Sequence, residues 1–175
     1  NIKWEDAKAF CDWLSAKERL EYRLPRDAEW STAAGDTVYP WGNDAAVPKG
    51  FGNFGRRHGA ESFDHITPVG IFPPDKHGLF DMAGNAFQWC EDIYDPSLNE
   101  PFTLEQFPSL KMAKPDDGSV WHVTRGSSWG FGAKVGLRTS FRQHSAAGTG
   151  FRCVVVMGSA ASPASATASP PATTN

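Results

Sequence analysis

The chain has 175 residues, enough for one domain of ordinary size, and its 7 Trp and 12 Phe provide large side chains for a single core. A formal net charge of −3, with both signs mixed along the sequence, gives no electrostatic footprint for nucleic acid or an anionic membrane. The sequence contains no run of about 18 apolar residues that would predict a membrane span, and its first residues lack the pattern of a secretory signal.

The first predicted element is an amphipathic helix over residues 4–18, because apolar residues recur at helical spacing with charged residues between them. These apolar residues are Ala7, Phe10, Cys11 and Leu14. A second helix is expected after Pro25, with Asp27 and Glu29 in its first turn, where the helix dipole favours negative charge.

Residues 35–74 are rich in Gly, Pro, Asn and aromatic residues without a sustained period, which predicts long ordered loops. The segment 78–92, GLFDMAGNAFQWCED, sets glycines and polar residues among aromatic residues and predicts a rigid loop core. Its side-chain oxygens, on Asp81, Asn85 and Gln88, are suited to hold a cation or to tie the loop to itself.

Two short strands are expected over residues 120–125 and 151–156, and antiparallel pairing is expected near the end of the chain. Residues 158–175 contain no charged or aromatic side chain and predict a flexible tail or linker after a domain at 1–157.

The three cysteines, Cys11, Cys90 and Cys153, are widely spaced and contain no Cys-x-x-Cys pair. They indicate neither a zinc site nor a disulfide framework, and we expect them to be small buried hydrophobic residues. The five histidines show no metal-ligand spacing and are expected to be surface or hydrogen-bonding residues.

Several blocks of this sequence resemble the formylglycine-generating enzyme (sulfatase-modifying factor) family, in the family's order. They are residues 4–14, 22–30, 39–43, 67–70, 78–92, 125–129 and 150–153. The resemblance implies an α+β protein with a loop-rich, C-type-lectin-like fold and little regular secondary structure. Because family members have considerable sequence before the first block, it also implies a domain that lacks its N-terminal part.

In the resembled family, oxidases bind copper and activate oxygen with two cysteines shortly after the Gly-Ser-aromatic block. The positions that align with these cysteines hold Phe131 and Gly136, neither of which can bind copper. The resemblance therefore implies a catalytically degenerate domain with no catalytic residues of the family kind, and copper is not expected.

Calcium is expected by resemblance, through oxygen ligands in two loops. The positions that align with the first family site are Asn53, Phe54, Glu61 and Phe63. Those that align with the second are Asp81, Gly84, Ala86 and Gln88, where relatives usually carry Glu in place of Gln88. The alternative is that hydrogen bonds alone hold these loops.

A ligand-binding surface is expected between residues 129 and 148, where aromatic and cationic residues are mixed. Its candidate residues are Trp129, Phe131, Lys134, Arg138 and His144. Some relatives are binding proteins diversified at this stretch. The alternative for Trp129, Phe141 and Arg142 is a structural role, with Arg142 and Arg152 paired to buried carboxylates.

The sequence thus favours a binding module for a protein or small-molecule ligand, with loops held by calcium. One alternative is an oxidoreductase, either a formylglycine-generating oxidase or the C-terminal part of a non-haem iron sulfoxide synthase. Another is the sensor domain of a larger signalling protein. The sequence assigns no compartment; a bacterial protein of the cytoplasm or of an extracytoplasmic space fits it equally.

Overall fold

The computed structural model describes residues 2–37, 39, 41–44, 46–54, 63, 65–94, 120–130, 141–143 and 148–160. The helices are α1 (Trp4–Glu18) and α2 (Asp27–Ala34). The strands are β1 (Leu20–Arg23), β2 (Phe87–Ile93), β3 (His122–Arg125), β4 (Phe141–Gln143), β5 (Thr149–Phe151) and β6 (Val154–Ala160). Within these ranges, no helix has both the length and the apolar character needed to cross a membrane.

Both predicted helices are present, and α1 has the predicted bounds. The buried stripe of α1 is narrower than predicted, however, because Ala7 and Cys11 are fully buried whereas Phe10 is 43% exposed. Phe10 instead lies in an aromatic cluster, with ring centroids 5.4 Å from Trp13 and 5.3 Å from Phe151.

The strands form two sheets. In the first, β1 pairs with β6 in the antiparallel sense, which confirms antiparallel pairing near the end of the chain. In the second, the strand order is β4-β3-β2-β5, with β2 antiparallel to β3 and parallel to β5.

The structure corrects the sequence prediction at three places. Residues 87–93, predicted as part of the loop core, form strand β2, because pairing with β3 and β5 supplies hydrogen-bond partners that are distant in the sequence. The strand predicted over 151–156 is divided between β5 and β6. Strand β6 also continues through Ala160, which pairs with Leu20, so residues 158–160 of the predicted tail belong to a strand. Residues 161–175 of the predicted tail lie outside the described residues.

The N-terminal layer, residues 2–34, packs on the second sheet through one of two core clusters. The fully buried members of this cluster are Ala7, Cys11, Leu24 and Trp89. At the start of α2, the Glu29 carboxylate accepts a hydrogen bond from the Arg26 backbone N–H at 2.8 Å. Glu29 also forms a bidentate pair with Arg23, with both N···O distances 2.7 Å, so its carboxylate joins the start of α2 to strand β1.

The other core cluster lies under the loops. Its members include Trp30, Phe54 and Met82, all at most 2% exposed. Trp30 comes from α2 and the other two come from loops, so this cluster joins the N-terminal layer to the region where the sequence predicts the functional residues.

Candidate functional site

Apart from Phe63, the predicted functional residues that the structure describes lie in one region, formed by loops and the start of β2. We call this region the loop core: residues 52–54, 65–70, 78–88 and 126–129. Few of its backbone groups are paired in regular secondary structure. Buried polar side chains therefore satisfy many of them, as buried peptide groups require.

Asn85 is the centre of the loop core. It is 5% exposed and has a left-handed backbone, with φ of 62°, a conformation that Asn adopts more readily than most residues. Its side-chain oxygen accepts from the Thr67 backbone N–H at 2.8 Å, and its amide nitrogen donates to the Thr67 carbonyl at 3.1 Å. Its backbone N–H donates to the Asn53 carbonyl at 2.8 Å, and its carbonyl accepts from the Trp129 N–H at 3.0 Å. One residue thus links three separate loop segments.

Gly84, the preceding residue, allows two loops to approach closely. Its N–H donates to the Gly126 carbonyl at 2.7 Å, and its φ is 80°. A Cβ atom at this position would lie 2.6 Å from the Asn53 carbonyl oxygen. No side chain can be accommodated there without moving the backbone of the 52–54 loop.

Gln88, the first buried polar residue of β2, forms hydrogen bonds through both polar atoms of its side chain. Its oxygen accepts from the Trp30 indole N–H at 2.9 Å and from the Arg152 guanidinium at 2.5 Å. Its nitrogen donates to the Asp81 carbonyl at 2.7 Å. Because an amide oxygen has two lone pairs, these two donors occupy it completely.

The first predicted calcium site centres on Asn53, which is fully buried. Its amide nitrogen donates to the His65 carbonyl at 2.8 Å, whereas its side-chain oxygen Oδ1 has no hydrogen-bond partner. Of the other predicted ligands, Phe54 is fully buried beside Asn53, Phe63 is 42% exposed, and Glu61 lies outside the described residues. A buried amide oxygen without a partner costs free energy unless a donor or a cation reaches it, so this position fits an oxygen-coordinated cation such as calcium.

The second predicted calcium site departs from the prediction at Gln88. Asp81, Gly84 and Ala86 lie on one loop as expected, but the Gln88 oxygen is already held by Trp30 and Arg152. Asp81 accepts from the Gly70 N–H at 2.7 Å through one carboxylate oxygen. The physical reason is that Gln88 has a neutral amide where relatives usually carry the carboxylate of Glu. The amide attracts a cation less strongly, and its NH₂ group donates to the Asp81 carbonyl.

Within the described ranges, no three His, Cys, Asp or Glu side chains are grouped closely enough to hold a metal ion. A cation bound among these residues would therefore depend on amide and backbone oxygens, which calcium accepts and softer metals do not favour.

Of the predicted ligand-binding residues, the structure describes Trp129. Its backbone is fixed to Asn85, and its half-buried ring makes an edge contact with His65 at a centroid distance of 5.9 Å. The predicted residues that lie outside the described part of the chain are Phe131, Lys134, Arg138 and His144. The His65 carbonyl also accepts a hydrogen bond from the Asn53 amide nitrogen. His65 therefore contacts both the Trp129 ring and the Asn53 side chain, whose oxygen has no hydrogen-bond partner.

Sequence reasoning did not identify Trp30, Thr67 or Ser127 as parts of this region. Ser127 is fully buried with φ of 61°, a conformation that nothing in its residue type predicts. Arg152 was considered as the partner of a buried carboxylate, but it donates to the Gln88 amide oxygen and, at 2.9 Å, to the Phe80 carbonyl. Burial lowers the pKa of Arg152, and the nearby Asp81 and Asp75 partly offset this effect.

The cysteines lie in the two core clusters. Cys90 is fully buried and agrees with the prediction of a small hydrophobic residue, and burial raises the pKa of its thiol. Cys11 is also fully buried, as predicted, whereas Cys153 is partly exposed. Their sulfur atoms are 3.5 Å apart and share a hydrogen bond, which the prediction did not include. Their separation of 142 positions hid this contact from sequence reasoning.

Comparison with known proteins identifies a domain over most of the chain. Residues 1–157 match the model of the sulfatase-modifying factor enzyme 1-like domain. The formylglycine-generating enzyme of Thermomonospora curvata is 31% identical over 172 residues, covering 87% of this chain and 54% of that protein. The inactive C-alpha-formylglycine-generating enzyme 2 of Mus musculus is 31% identical over 163 residues, covering 87% of this chain and 47% of that protein. The chain therefore spans about half the length of these two relatives.

Two further matches extend the comparison. The serine/threonine-protein kinase Pkn1 of Chlamydia trachomatis is 32% identical over 161 residues, covering 87% of this chain but 23% of the kinase. Among solved structures, variable protein 1 of Treponema denticola superimposes with a TM-score of 0.62 at 22% identity, over 87% of this chain and 69% of that one.

Proposed function

The chain belongs to the family of sulfatase-modifying factor enzyme 1-like domains and has the family's loop-rich α+β, C-type-lectin-like fold. On that basis we propose that it is a catalytically degenerate member that binds a protein or small-molecule ligand. The binding surface begins at Trp129 and continues toward residue 148.

The observation that carries this proposal is the position of the thiols. The sequence has three cysteines, and none lies between residues 129 and 148, where oxidases of the resembled family place their copper-binding pair. Cys90 is enclosed in one core cluster, and Cys153 is in contact with Cys11 in the other. Binding copper with two thiolates near Trp129 would therefore require residues that the chain does not have. The similarity to a relative named as inactive is consistent with this reading.

A rigid base under Trp129 supports a recognition role. The residues on either side of the Ser127–Ser128 turn are anchored: the Gly126 carbonyl to Gly84 and the Trp129 N–H to Asn85. Both serines are at most 2% exposed. A binding side chain whose backbone is already fixed loses less conformational entropy when a ligand binds.

We include calcium in the proposal at the first predicted site, around Asn53, and not at the second. A calcium ion bound by the Asn53 oxygen would fix the 52–54 loop, and the Asn53 amide nitrogen would keep His65 in place against the Trp129 ring. Melting the protein with calcium and with a chelator tests this role. We expect a higher midpoint with calcium and no such difference in Asn53→Ala, whereas an identical midpoint in the wild type would remove the site.

The catalytic question is tested by oxygen consumption with a cysteine-containing sulfatase peptide and copper, for which we expect no turnover. Binding is tested on an array of defined peptides and oligosaccharides with Trp129→Ala, using Trp13→Ala as the matched control. Trp13 is a tryptophan on α1, 38% exposed, outside the proposed surface. We expect the first substitution to abolish capture and the second to retain it. Sustained turnover, or equal losses in both variants, would contradict the proposal.

The match to Pkn1 favours a second role, in which the domain recognises a ligand on behalf of an attached signalling domain. The same surface would be used. The two roles are distinguished by whether the natural chain that contains this domain also contains a kinase domain, and by whether Trp129→Ala changes its phosphorylation activity.

A further inference from the structure

The start of helix α1 is attached to the second sheet through an aromatic contact. The indole ring of Trp4, the first residue of α1, stacks on the imidazole of His122, the first residue of β3, with a centroid distance of 3.9 Å and an interplanar angle of 10°. The Trp4 indole N–H also donates to the Cys90 carbonyl of β2 at 2.9 Å. Trp4 therefore contacts two strands, and the stack holds the first turn of α1 against β3.

Two hydrogen bonds of Ile2 extend this attachment. Its backbone N–H donates to the Thr149 carbonyl of β5 at 3.2 Å, and its carbonyl accepts from the Trp89 indole N–H at 2.7 Å. Backbone and indole groups do not titrate near neutral pH, so these bonds hold residues 2–4 over a wide pH range. In contrast, the stack includes a histidine, whose charge changes near neutral pH.

The imidazole of His122 is poorly placed to carry a charge. Its Nδ1 atom is buried and has no hydrogen-bond partner. Burial lowers the pKa of His122, and this effect is offset only in part by the backbone carbonyls of Glu91 and Asp92 and by the Glu5 carboxylate, which favour the protonated ring. The ring is therefore mainly neutral in the folded protein at pH 7.

The charged groups around the ring come from α1 and β2. Glu5 follows Trp4 on α1 and is exposed to solvent, which screens its charge. On β2, the Glu91 carboxylate faces two arginines of the N-terminal layer, and the Asp92 carboxylate accepts from a backbone N–H of α2. Gln143, which pairs with His122 from β4, is neutral. The described neighbours therefore include no carboxylate that forms an ion pair with the imidazole.

We propose that the Trp4–His122 stack is an acid-sensitive latch between α1 and the second sheet. Below about pH 6.5, the protonated His122 ring leaves the stack for water, and the first turn of α1 opens more often from the sheet. The latch includes neither the surface at Trp129 nor the calcium position at Asn53, so it does not depend on the proposed function.

Proton linkage determines the direction of the effect. Because the pKa of His122 is lower in the closed state, the open state binds more protons in the interval between that lowered pKa and 6.5. The stabilisation by the stack is fully present above 6.5 and is lost as the pH falls through this interval. Uptake of one proton shifts the opening equilibrium by at most about tenfold per pH unit. The first turn should therefore loosen gradually, while the hydrogen bonds of Ile2 remain.

Residue-resolved amide hydrogen exchange, corrected for the intrinsic exchange rate at each pH, tests the latch between about pH 7.5 and 5.5. The reporter is the Ala7 N–H, which donates to the Lys3 carbonyl at 3.1 Å in the first turn of α1. The reference is the Trp30 N–H, which donates to the Arg26 carbonyl at 2.9 Å in α2. We expect the protection of Ala7 to fall severalfold relative to Trp30 as the pH drops. An unchanged ratio would overturn the proposal.

Two histidine substitutions distinguish the latch from a general effect of acid. His122→Phe keeps a ring against Trp4 but takes up no proton, so the protection of Ala7 should no longer depend on pH. His77→Gln removes an exposed histidine outside the contact and should behave as the wild type does. The same loss of protection in His122→Phe as in the wild type would contradict the latch.

An NMR titration of the imidazole signals gives a second readout in the wild-type protein. The His122 signal, identified by its absence in His122→Phe, should titrate below the value of about 6.5 found in unstructured peptides. The indole N–H signal of Trp4 should shift over the same pH range, because the stack opens. A midpoint above 6.5 with an unchanged Trp4 signal would mean that cation–π attraction keeps the protonated ring on the indole, and the latch would be wrong.

Discussion

The N-terminal layer and the loop core achieve order by different means. In the N-terminal layer, the two helices pair most of their own backbone groups and strand β1 pairs with β6. Apolar packing and the ion pairs of Arg23 and Arg26 with Glu91 join this layer to the rest of the fold. In the loop core, buried polar side chains such as Asn85 and Gln88 bind the backbone of other loops. A surface ion pair is replaceable by water, whereas a buried amide group that loses its partner is not.

This difference predicts that single substitutions lower the free energy of unfolding much more in the loop core than in the N-terminal layer. The largest effect is expected for Gly84→Ala, where a Cβ atom would lie 2.6 Å from the Asn53 carbonyl oxygen. We expect a loss of about 3–5 kcal/mol in the free energy of unfolding, from backbone strain and displacement of the 52–54 loop. Chemical denaturation measures the loss.

Gly78→Ala is the matched control for that substitution. Gly78 also has φ of 80°, but a Cβ atom there would meet nothing within 4 Å. The left-handed strain alone should cost about 1–2 kcal/mol. Equal losses in the two variants would show that close approach of the two loops at Gly84 contributes nothing to stability.

The second substitution, Gln88→Glu, tests how much a hydrogen bond of a buried polar side chain contributes to the stability of the loop core. Gln88→Glu replaces the NH₂ group that donates to the Asp81 carbonyl, 2.7 Å away, with an oxygen. Without a cation, the repulsion between these oxygens should cost about 1–2 kcal/mol, after partial compensation by the adjacent Arg152. With calcium, the new carboxylate should restore part of this loss, because it provides the charge that the amide does not.

Melting curves in calcium and in chelator measure this effect in three proteins. The midpoint of Gln88→Glu should respond to calcium more strongly than that of the wild type. Gln88→Met, which removes the hydrogen bonds without adding charge, should respond as the wild type does. An identical calcium response in Gln88→Glu and Gln88→Met would mean that the carboxylate creates no cation site between Asp81 and β2.

The same difference explains what the sequence could and could not predict. The bounds of α1 could be predicted from its periodic apolar residues, because helical spacing is a local signal in the sequence. Strand β2 was missed because its partners, β3 and β5, come much later in the chain and its residues do not alternate.

Long-range polar contacts leave even less trace in the sequence. The Trp30–Gln88 and Gln88–Arg152 hydrogen bonds join residues 58 and 64 positions apart, and nothing local indicates them. The resemblance assigned Asn53 and Asp81 to two calcium sites but could not show that Arg152 would use the oxygen of Gln88. The contact between Cys11 and Cys153 was hidden for the same reason.

Smaller effects are expected in the N-terminal layer, of which Glu29→Gln is the larger. The bidentate hydrogen bonds from Arg23 and the backbone N–H of Arg26 lower the pKa of Glu29 from 4.5 to about 2. Because the folded-state pKa is depressed, the ionised carboxylate stabilises the fold above about pH 4.5, and this contribution is lost as the pH falls toward 2. The Glu29 side chain is 41% exposed, so solvent screening reduces the contribution to about 1 kcal/mol.

At neutral pH, Glu29→Gln should therefore lower the free energy of unfolding by about 1 kcal/mol, and the difference from the wild type should shrink between pH 4.5 and 2. Asp12→Asn breaks the exposed Lys8–Asp12 pair on α1, with an N···O distance of 2.7 Å, and should cost only a few tenths of a kcal/mol. Denaturation curves across this pH range measure both. If Glu29→Gln cost as much as Gly84→Ala, its ion pair would contribute as a buried network does, and the distinction between the two regions would fail at Glu29.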